Sequence, residues 1–229
     1  MKQILIALLL SVCVVQFGYG QQSSERTPRY GDLRLGGFAS AVGTSNAGSI
    51  ADDWHTSPLV TATGGGTLEM TLDEHSSFDI SASYDNRYLN FYEHANTAAN
   101  VDYLLSYVGV RPRVHFYGVT FGAGFGIPLA TTTTGHGGLP SPSVSRDDML
   151  PLYEVRLGGQ IPVYQDRVGA LELKAEGSYA FNHMLNQSYL DGLSNNWNNG
   201  PVASLELGVV YLFNVLERET PQPVPLAER

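Results

Sequence analysis

Three glycines at alternate positions are the first residues whose type and spacing could do chemistry. Gly122, Gly124 and Gly126 lie within VTFGAGFGIPL, residues 119–129. A phosphate-binding loop of the form G-x-G-x-x-G opens a helix, but here the third glycine comes one residue too early. The segment continues into Ile-Pro-Leu and a threonine run, which offers no helix N-terminus to hold an anion. These glycines therefore do not indicate a nucleotide site.

Two short segments contain side chains that often bind metal ions. They are Asp52-Asp53-Trp54-His55 and Glu93-His94. A structural or catalytic zinc site takes its ligands from fixed positions on rigid elements. These two segments would have to meet across two connections, and neither has such a spacing. We therefore expect no metal ion and no cofactor.

The period of the apolar residues explains the glycines better. Every odd-numbered position from 119 to 129 is apolar, and the intervening positions hold Thr120, the three glycines and Pro128. A strict period of two is typical of a β-strand with one apolar face. We expect the glycines on the opposite face, where they leave room for neighbouring arginines and glutamates.

The same alternation recurs along the chain and predicts eight strands. Leu171 and Leu173, for example, alternate with Glu172 and Lys174. The chain is rich in glycine, tyrosine and threonine and poor in helical periodicity, which fits one all-β domain. The expected strands cover residues 33–43, 60–72, 78–90, 101–116, 119–130, 151–164, 170–181 and 201–213.

The connections between these strands alternate in length. Long polar connections are expected near residues 44–58, 91–100, 131–149 and 184–200, and short ones at 73–77, 117–118 and 165–169. Short turns at one rim and long loops at the other are typical of an outer-membrane barrel, whose strands of about ten residues cross an apolar band of roughly 25 Å. We therefore predict an all-β fold, an eight-stranded antiparallel up-and-down transmembrane β-barrel over residues 32–215.

The charged positions of the strands indicate what fills this barrel. Glycines interrupt each charged face, as expected if long ionised side chains share a narrow lumen, and aromatic residues gather near the strand ends, as a bilayer selects. Because unpaired buried charges are costly, we expect a salt-bridge plug, with a narrow gated pore opened by re-pairing as the alternative. The predicted lumen charge network is Arg34, Glu69, Asp85, Arg87, Arg111, Arg113, Glu154, Arg156, Glu172, Lys174, Glu176 and Glu206, and Asp79 and Asp102 are assigned to the same lumen.

Three prolines interrupt the strand pattern. Proline lacks the N–H that a strand ladder needs, so it belongs at strand ends or bulges. Pro128 and Pro162 can lie near the rims of the barrel, whereas Pro112 falls inside a strand. We therefore predict a β-bulge at Pro112.

The N-terminal residues have the pattern of an exported protein. A basic start, an apolar run over residues 4–15 and the small residues Gly18 and Gly20 predict a signal peptide, residues 1–20. Cys13, the one cysteine, lies inside it; a lipoprotein site there is the alternative, although Val12 is large where a small residue is expected. The formal charge of −9 argues against nucleic acid as a partner.

The last strand carries the residues on which a family resemblance depends. Glu206, Gly208, Tyr211 and Phe213 match an assembly signal of the form polar, any, Gly, any, any, apolar, any, apolar. With the strand and loop pattern, the chain resembles the small eight-stranded outer-membrane barrels of the OmpA/opacity type. The resemblance implies outer-membrane lipid and the barrel-assembly machinery as partners, a monomer, and the bacterial outer membrane as location. Residues 21–31 would be a periplasmic lead-in, and residues 216–229 a short disordered periplasmic tail instead of a peptidoglycan-binding domain.

The resemblance leaves several functions open. We expect a structural or surface-interaction role, because binding residues concentrate on loops carried by rigid scaffolds. Trp54 and Trp197 lie in expected extracellular loops and either contact a partner or fold onto the barrel mouth. The alternatives are a lipid-modifying outer-membrane enzyme and a soluble ligand-binding barrel. We expect no enzyme, since His183 and Ser188 lack the tight His-x-Ser-Asn spacing of the lipid A deacylases.

Overall fold

Eight antiparallel strands form a closed barrel in sequence order. The structure is a computed structural model, and it describes residues 31–46, 54–93, 96–166, 168–186, 188–189 and 201–216. Each strand pairs with its neighbours along the chain, and β1 closes the ring by pairing with β8. The strands are β1 Leu33–Asn46, β2 Trp54–Thr71, β3 Ser76–Glu93, β4 Asn96–Phe116, β5 Val119–Gly135, β6 Leu152–Gln165, β7 Gly169–Ala180 and β8 Val202–Leu216.

Strand alternation puts opposite chemistry on the two faces of the wall. On β4, Arg111 and Arg113 are buried inside the barrel, while Val110 and Val114 on either side of this pair are exposed outside. A closed ring leaves no unpaired edge along the paired length, and an apolar exterior around a polar interior suits a bilayer, not water. The predicted fold class, an eight-stranded up-and-down transmembrane barrel, is confirmed.

The β2–β3, β4–β5 and β6–β7 hairpins turn within a few residues at one end, which we call the short-turn end. In the β4–β5 hairpin both turn residues, Tyr117 (φ 51°) and Gly118 (φ 78°), have the positive φ that a two-residue turn requires. The opposite end, the long-connection end, carries the chain from β1 to β2, from β5 to β6 and from β7 to β8.

The predicted long connection over residues 91–100 is wrong. β3 continues to Glu93 and β4 already begins at Asn96. Polar residues such as Asn96 and Asn100 suggested a loop, but they belong to a paired strand, Asn96 opposite Glu93 and Asn100 opposite Tyr92. The reason is that β3 and β4 extend past the apolar band, where the outer face of a strand contacts water and takes polar residues.

The wall is not equally tall all round. β4 stays paired with β5 up to Gly135, but β5 pairs with β6 only as far as Gly126, opposite Leu152. The β5–β6 connection includes a 3-10 turn, Arg146–Asp148, and approaches the β7–β8 connection where Met149 and Leu185 form an isolated bridge. The two connections thus meet at the low side of the wall.

The predicted bulge at Pro112 is also wrong. Pro112 pairs with Ile80 on β3 without a register shift, and the β4–β5 register is unchanged on either side of it. The missing N–H leaves a gap in the ladder there instead of adding a residue to one strand. Register shifts occur instead beside the other two prolines, at Pro128, where β5 pairs with Tyr107, and after Pro162.

Several sequence predictions fall outside the described residues. They are the signal peptide, almost all of the lead-in, the tail from residue 217 on, and Trp197. Within the described ranges, no helix is long and apolar enough to cross a membrane.

Candidate functional site: a charged interior under an apolar cap

The barrel interior receives the side chains that the alternation assigned to it. Eleven of the twelve residues of the predicted charge network are buried, and the Arg34 side chain is 16% exposed. Asp79 and His115 are buried beside them. We call these fourteen residues the charged layer.

Asp102 is the exception among the residues assigned to the lumen, and that assignment is wrong. It shares the parity of Leu104 and Val108, which lie on the outer face of β4. Its carboxylate accepts a hydrogen bond from the Tyr88 hydroxyl at 2.6 Å and lies 3.0 Å from Nε2 of His136. Asp102 therefore belongs to the polar outer surface near the long-connection end.

The three glycines of β5 make room for the interior side chains. A Cβ on Gly122 would lie 2.6 Å from Cγ of Arg113, and one on Gly124 would lie 2.6 Å from Cγ of Glu154. A Cβ on Gly126 would come within 3.3 Å of Cβ of Tyr107. The glycines face the lumen, as the sequence predicts, and two of them accommodate an arginine and a glutamate.

Glu206 on β8 lies at the centre of the charged layer. Its carboxylate accepts hydrogen bonds from Lys174 at 2.8 Å, from Arg111 at 3.2 Å and from Arg156. Arg156 also donates to Glu154 and Glu176. Cations from β4, β6 and β7 therefore converge on one acid of β8, which ties the wall together across the lumen.

Toward the short-turn end, the charged layer continues through three basic side chains. Arg34 on β1 donates to Glu69 and to Glu172, the latter at 3.4 Å. Arg113 donates to Asp79 at 3.0 Å and to Glu176 at 3.2 Å. His115 contacts the Asp79 carboxylate through Nε2 and the Thr120 hydroxyl through Nδ1 at 3.0 Å. Paired side chains thus line the short-turn end of the lumen.

Toward the long-connection end, Arg87 is the last cation of the layer. Its two terminal nitrogens donate to the Ser204 hydroxyl at 2.6 Å and to Glu154 at 3.1 Å. Asp85, one inward position below Arg87 on β3, accepts from Arg111 and from the Thr63 hydroxyl. The next inward residues of β3 are Leu89 and Phe91, so the charges end here.

The charged layer is close to neutral. Its seven carboxylates belong to Glu69, Asp79, Asp85, Glu154, Glu172, Glu176 and Glu206, and its six permanent cations to Arg34, Arg87, Arg111, Arg113, Arg156 and Lys174. The side chain of His115 is in contact with the Asp79 carboxylate. Near-equal numbers are what a low-dielectric interior requires, because an uncompensated buried charge is strongly destabilising.

Phe38 is an aromatic residue within the charged layer. Nζ of Lys174 lies 4.9 Å from its ring centroid and Cζ of Arg111 lies 5.5 Å from it. Cations at this distance are attracted to the ring face. Phe38 packs with Val210 and Leu212 and fills the lumen on the side of β1 and β8.

Above the charged layer, the mouth of the barrel is apolar. We call this cluster the apolar cap; it comprises Leu89, Phe91, Val101, Tyr103, Leu105, Tyr107, Met149, Leu152, Ala180, Met184, Leu185 and Val202. Met149, Met184 and Leu185 come from the two connections that meet over the mouth, and we call these three residues the lid. Backbone hydrogen bonds join the lid segments: Leu150 N donates to Met184 O at 2.9 Å and Asn186 N to Asp148 O at 2.7 Å.

Sequence reasoning missed Phe38 and the whole apolar cap. The signal for part of it was present, since Phe38 shares the parity of Arg34, and Tyr103 and Tyr107 share that of Arg111. An apolar residue on a charged parity is an interior residue. The lid had no such signal, because Met149 and Met184 lie in connections without periodicity.

The proposed assembly-signal residues lie on both faces of β8. Glu206 points into the charged layer, and Gly208 faces β1, where an added Cβ would meet the Ser40 hydroxyl at 2.1 Å. Tyr211 and Phe213 form an edge-to-face pair with centroids 4.6 Å apart near the short-turn end. The motif thus combines two residues that shape the lumen with two on the outer aromatic rim.

Other aromatic pairs follow the two rims of the outer face. Phe116 and Tyr117 form an edge-to-face pair at the short-turn end. Near the long-connection end, Phe125 packs on Tyr153 and Tyr179 on Phe181. Between the rims the outward residues are apolar or small, so the exterior has the band and girdles of a membrane barrel.

The remaining candidates for chemistry lie outside the barrel interior. His183 and Ser188 are both exposed in the β7–β8 connection. Among the described residues, no three His, Cys, Asp or Glu side chains are grouped to hold a metal ion. Asp52, Asp53 and His94, and the side chains of His55 and Glu93, lie outside the described part of the chain; Trp54 begins β2 instead of lying in a loop.

Comparison with known proteins finds neighbours by structure and none by sequence. No protein-family model matches the chain, and no curated protein matches its sequence. Neisserial surface protein A is 9% identical, with 80% of this chain and 97% of that chain covered and a TM-score of 0.36. Ail, the attachment invasion locus protein of Yersinia pestis, is 12% identical, with 80% and 99% covered and a TM-score of 0.35.

A third neighbour is the outer membrane protein OprG from Pseudomonas aeruginosa. It is 12% identical, with 82% of this chain and 98% of that chain covered and a TM-score of 0.34. Similarity at this level assigns no activity. What this barrel does must therefore be inferred from its own residues.

Proposed function

We propose that this protein is an integral β-barrel of the bacterial outer membrane with a closed lumen, and that it acts through its extracellular surface. The observation that carries the proposal is the presence of two seals of opposite chemistry in series. The charged layer fills the lumen with paired side chains, and the apolar cap closes the mouth above it.

Each seal excludes the kind of molecule that the other would admit. A hydrated ion entering the apolar cap would lose water without gaining polar partners, which is costly. An apolar molecule reaching the charged layer would have to separate buried ion pairs such as Arg156–Glu206, leaving charges unpaired. An eight-stranded barrel is only wide enough for its side chains to fill, or to hold one small ligand. These facts favour a plug over a gated pore.

A role at the cell surface follows from where the long connections lie. The β1–β2, β5–β6 and β7–β8 connections share one end of the barrel, and the three hairpins at the short-turn end are tight. In outer-membrane barrels the long loops face outside the cell. We infer that a partner, where there is one, binds at this end, and that the barrel is a monomer held by outer-membrane lipid after assembly through the β8 signal.

We propose further that the protein is not an enzyme. A serine nucleophile needs a base held in place by a third group, whereas His183 and Ser188 are exposed side chains of a polar connection. The test is lipid A analysis of cells that express wild type or the His183→Ala/Ser188→Ala double variant. We expect identical lipid A, and a modification lost only in the variant would overturn this part of the proposal.

Single-channel conductance of the refolded mature protein in a planar bilayer tests the plug. Heat-modifiable gel mobility should show first that each sample is folded. We expect no discrete steps from wild type or from Glu74→Ala, a change in an exposed turn. Discrete steps from folded wild type that Arg111→Ala or Glu172→Ala alters would overturn the closed lumen and establish a pore gated by the charged layer. Recovery of the native protein in the soluble periplasmic fraction would overturn the membrane location.

A further inference from the structure

Two polar atoms lie buried without partners at the floor of the apolar cap. They are the Tyr107 hydroxyl and Nε of Arg87, and neither has a hydrogen-bond partner among the described residues. Tyr107 is fully buried and Arg87 is 2% exposed. Buried polar groups are nearly always hydrogen-bonded, so two such atoms at one level of the lumen require an explanation.

The register puts these two residues side by side. Tyr107 on β4 is opposite Asp85 on β3, and Arg87 is opposite Leu105, so Arg87 and Tyr107 are diagonal neighbours on the same inner face. The terminal nitrogens of Arg87 are held by Ser204 and Glu154, which fixes the direction of its guanidinium. The floor of the cap is therefore rigid, and the strand register fixes the positions of the Tyr107 hydroxyl and of Nε of Arg87.

The walls above this floor are apolar. The inner face of β4 runs from Tyr107 through Leu105 and Tyr103 to Val101, and Leu89 and Phe91 of β3 lie beside it. The six residue-to-residue steps of strand from 101 to 107 correspond to about 20 Å. The lid residues Met149, Met184 and Leu185 fill the space against these walls.

The lid is the part of the apolar cap whose side chains can move aside. It comes from two connections, and the strand ladder does not run through it beyond the single Met149–Leu185 bridge. Methionine side chains have three rotatable bonds and adapt to irregular space. A molecule of similar shape and polarity can take the place of Met149 and Met184 without disturbing the charged layer.

We propose that the apolar cap is a binding site for a neutral small molecule with an unbranched apolar body and one hydrogen-bond-accepting head, such as a carbonyl group. The body would lie along Leu105, Tyr103 and Leu89, and the head would accept hydrogen bonds from the Tyr107 hydroxyl and from Nε of Arg87. When no molecule is bound, the lid side chains fill the site.

The chemistry of the floor selects the head group. Nε of Arg87 can only donate, so a group shared by both atoms must accept. The head is neutral because the charged layer already contains seven carboxylates against six permanent cations, and another anion would lack a counter-charge. The proposal reaches beyond the closed lumen, since a molecule can bind above the charged layer whether or not that layer ever conducts.

The methionines supply a direct test. Met149 and Met184 lie in the lid, whereas Met70 is exposed on the outer face of β2 and serves as an internal control for lipid effects. The protein, ¹³C-methyl-labelled at methionine and held in lipid nanodiscs, would be titrated with 2-decanone, with decane and with decanoate. We expect saturable shifts of the Met149 and Met184 methyl signals with 2-decanone, no saturable shift of Met70, and weaker binding of decane and decanoate.

Tyr107→Phe removes only the hydroxyl and leaves the apolar wall intact. We expect it to weaken 2-decanone binding about 3- to 10-fold, the size of one buried hydrogen bond, and to leave decane binding unchanged. Tyr84→Phe, at an exposed tyrosine on the outer face of β3, is the matched control and should change neither.

Two results would overturn the proposal. One is the absence of saturable shifts at both lid methionines in folded wild type. The other is an equal affinity of wild type for 2-decanone and for decane, or an equal affinity of wild type and Tyr107→Phe for 2-decanone. In either case the Tyr107 hydroxyl and Nε of Arg87 would take no part in binding. Neither result bears on the conductance experiment, so a failure here is distinguishable from a failure of the closed-lumen proposal.

Discussion

Nζ of Lys174 on β7 lies 2.8 Å from Oε1 of Glu206 on β8, at the point where Arg111 and Arg156 also reach the Glu206 carboxylate. One buried carboxylate therefore balances cations from three other strands. Its loss would remove one ion-pair partner from Lys174, Arg111 and Arg156 at once, in a medium that solvates their charges poorly, which makes Glu206 the most informative position in the charged layer.

Glu206→Gln should destabilise the folded barrel by about 3–5 kcal/mol, the usual cost of removing one partner of a buried ion pair. The measurement is the free energy of unfolding by guanidinium in lipid vesicles. Glu74→Gln, in the exposed β2–β3 turn, is the control and should leave the stability unchanged. Equal stability of the two variants would contradict the ion-pair network described here.

Gly122→Ala should destabilise the barrel by about 1–3 kcal/mol, as overpacking does. The new methyl group would lie 2.6 Å from Cγ of Arg113 and 2.8 Å from the Pro112 carbonyl oxygen. At Gly43 on β1 an added Cβ meets nothing within 4 Å, so Gly43→Ala is the matched control. Thermal unfolding followed by gel mobility compares the two, and a tolerated Gly122→Ala would mean that the lumen is looser than the structure indicates.

Val209→Arg tests whether the outer face meets lipid. Val209 is the middle one of the outward apolar residues of β8 and is 43% exposed. An arginine at the bilayer midplane of a membrane barrel costs about 2–4 kcal/mol, and near the interface about 0–1 kcal/mol. We expect the larger loss of unfolding free energy for Val209→Arg and the smaller one for Val168→Arg in the β6–β7 turn. Little or no loss from Val209→Arg would favour the soluble barrel.

Asp166 makes the β6–β7 turn sensitive to pH. The Gly169 amide at 2.9 Å, the Val168 amide at 2.8 Å and the Tyr164 hydroxyl at 3.0 Å donate to its carboxylate and lower the pKa of Asp166 below its ordinary value. A lowered pKa in the folded state stabilises the turn above the ordinary aspartate pKa, and the effect is lost as pH falls through the folded pKa.

The variant Asp166→Asn, which cannot titrate, isolates this contribution. We expect wild type to be more stable than Asp166→Asn at neutral pH, with the difference shrinking as the pH is lowered through the acid range. Urea unfolding in vesicles across that range measures it. A difference that is the same at neutral and at acid pH would show that the carboxylate does not hold the turn.

The alternation of side chains was enough to predict which charged residues enter the lumen. Glu172, Lys174 and Glu176 share one parity of β7, and a period of two leaves them no other face. Asp102, the exception, lies where β4 rises above the apolar band, and there polarity no longer tells the inner face from the outer one.

The pairing of those charges could not be predicted from the sequence. Arg156 and Glu206 are 50 positions apart, and Arg34 and Glu172 are 138 apart. Which partners meet across the lumen depends on the stagger of all eight strands around the closed ring, and no local pattern encodes that stagger.

By itself, the sequence determined the eight strands, the face that most strand residues take and the end at which three long connections lie, because strand periodicity and turn chemistry are local properties of the chain. Tertiary structure decided the rest: the register around the ring, the partners of each buried charge, and the way two aperiodic connections place Met149 and Met184 over the mouth. These features rest on contacts between residues far apart in sequence, and such contacts exist only once the barrel has closed.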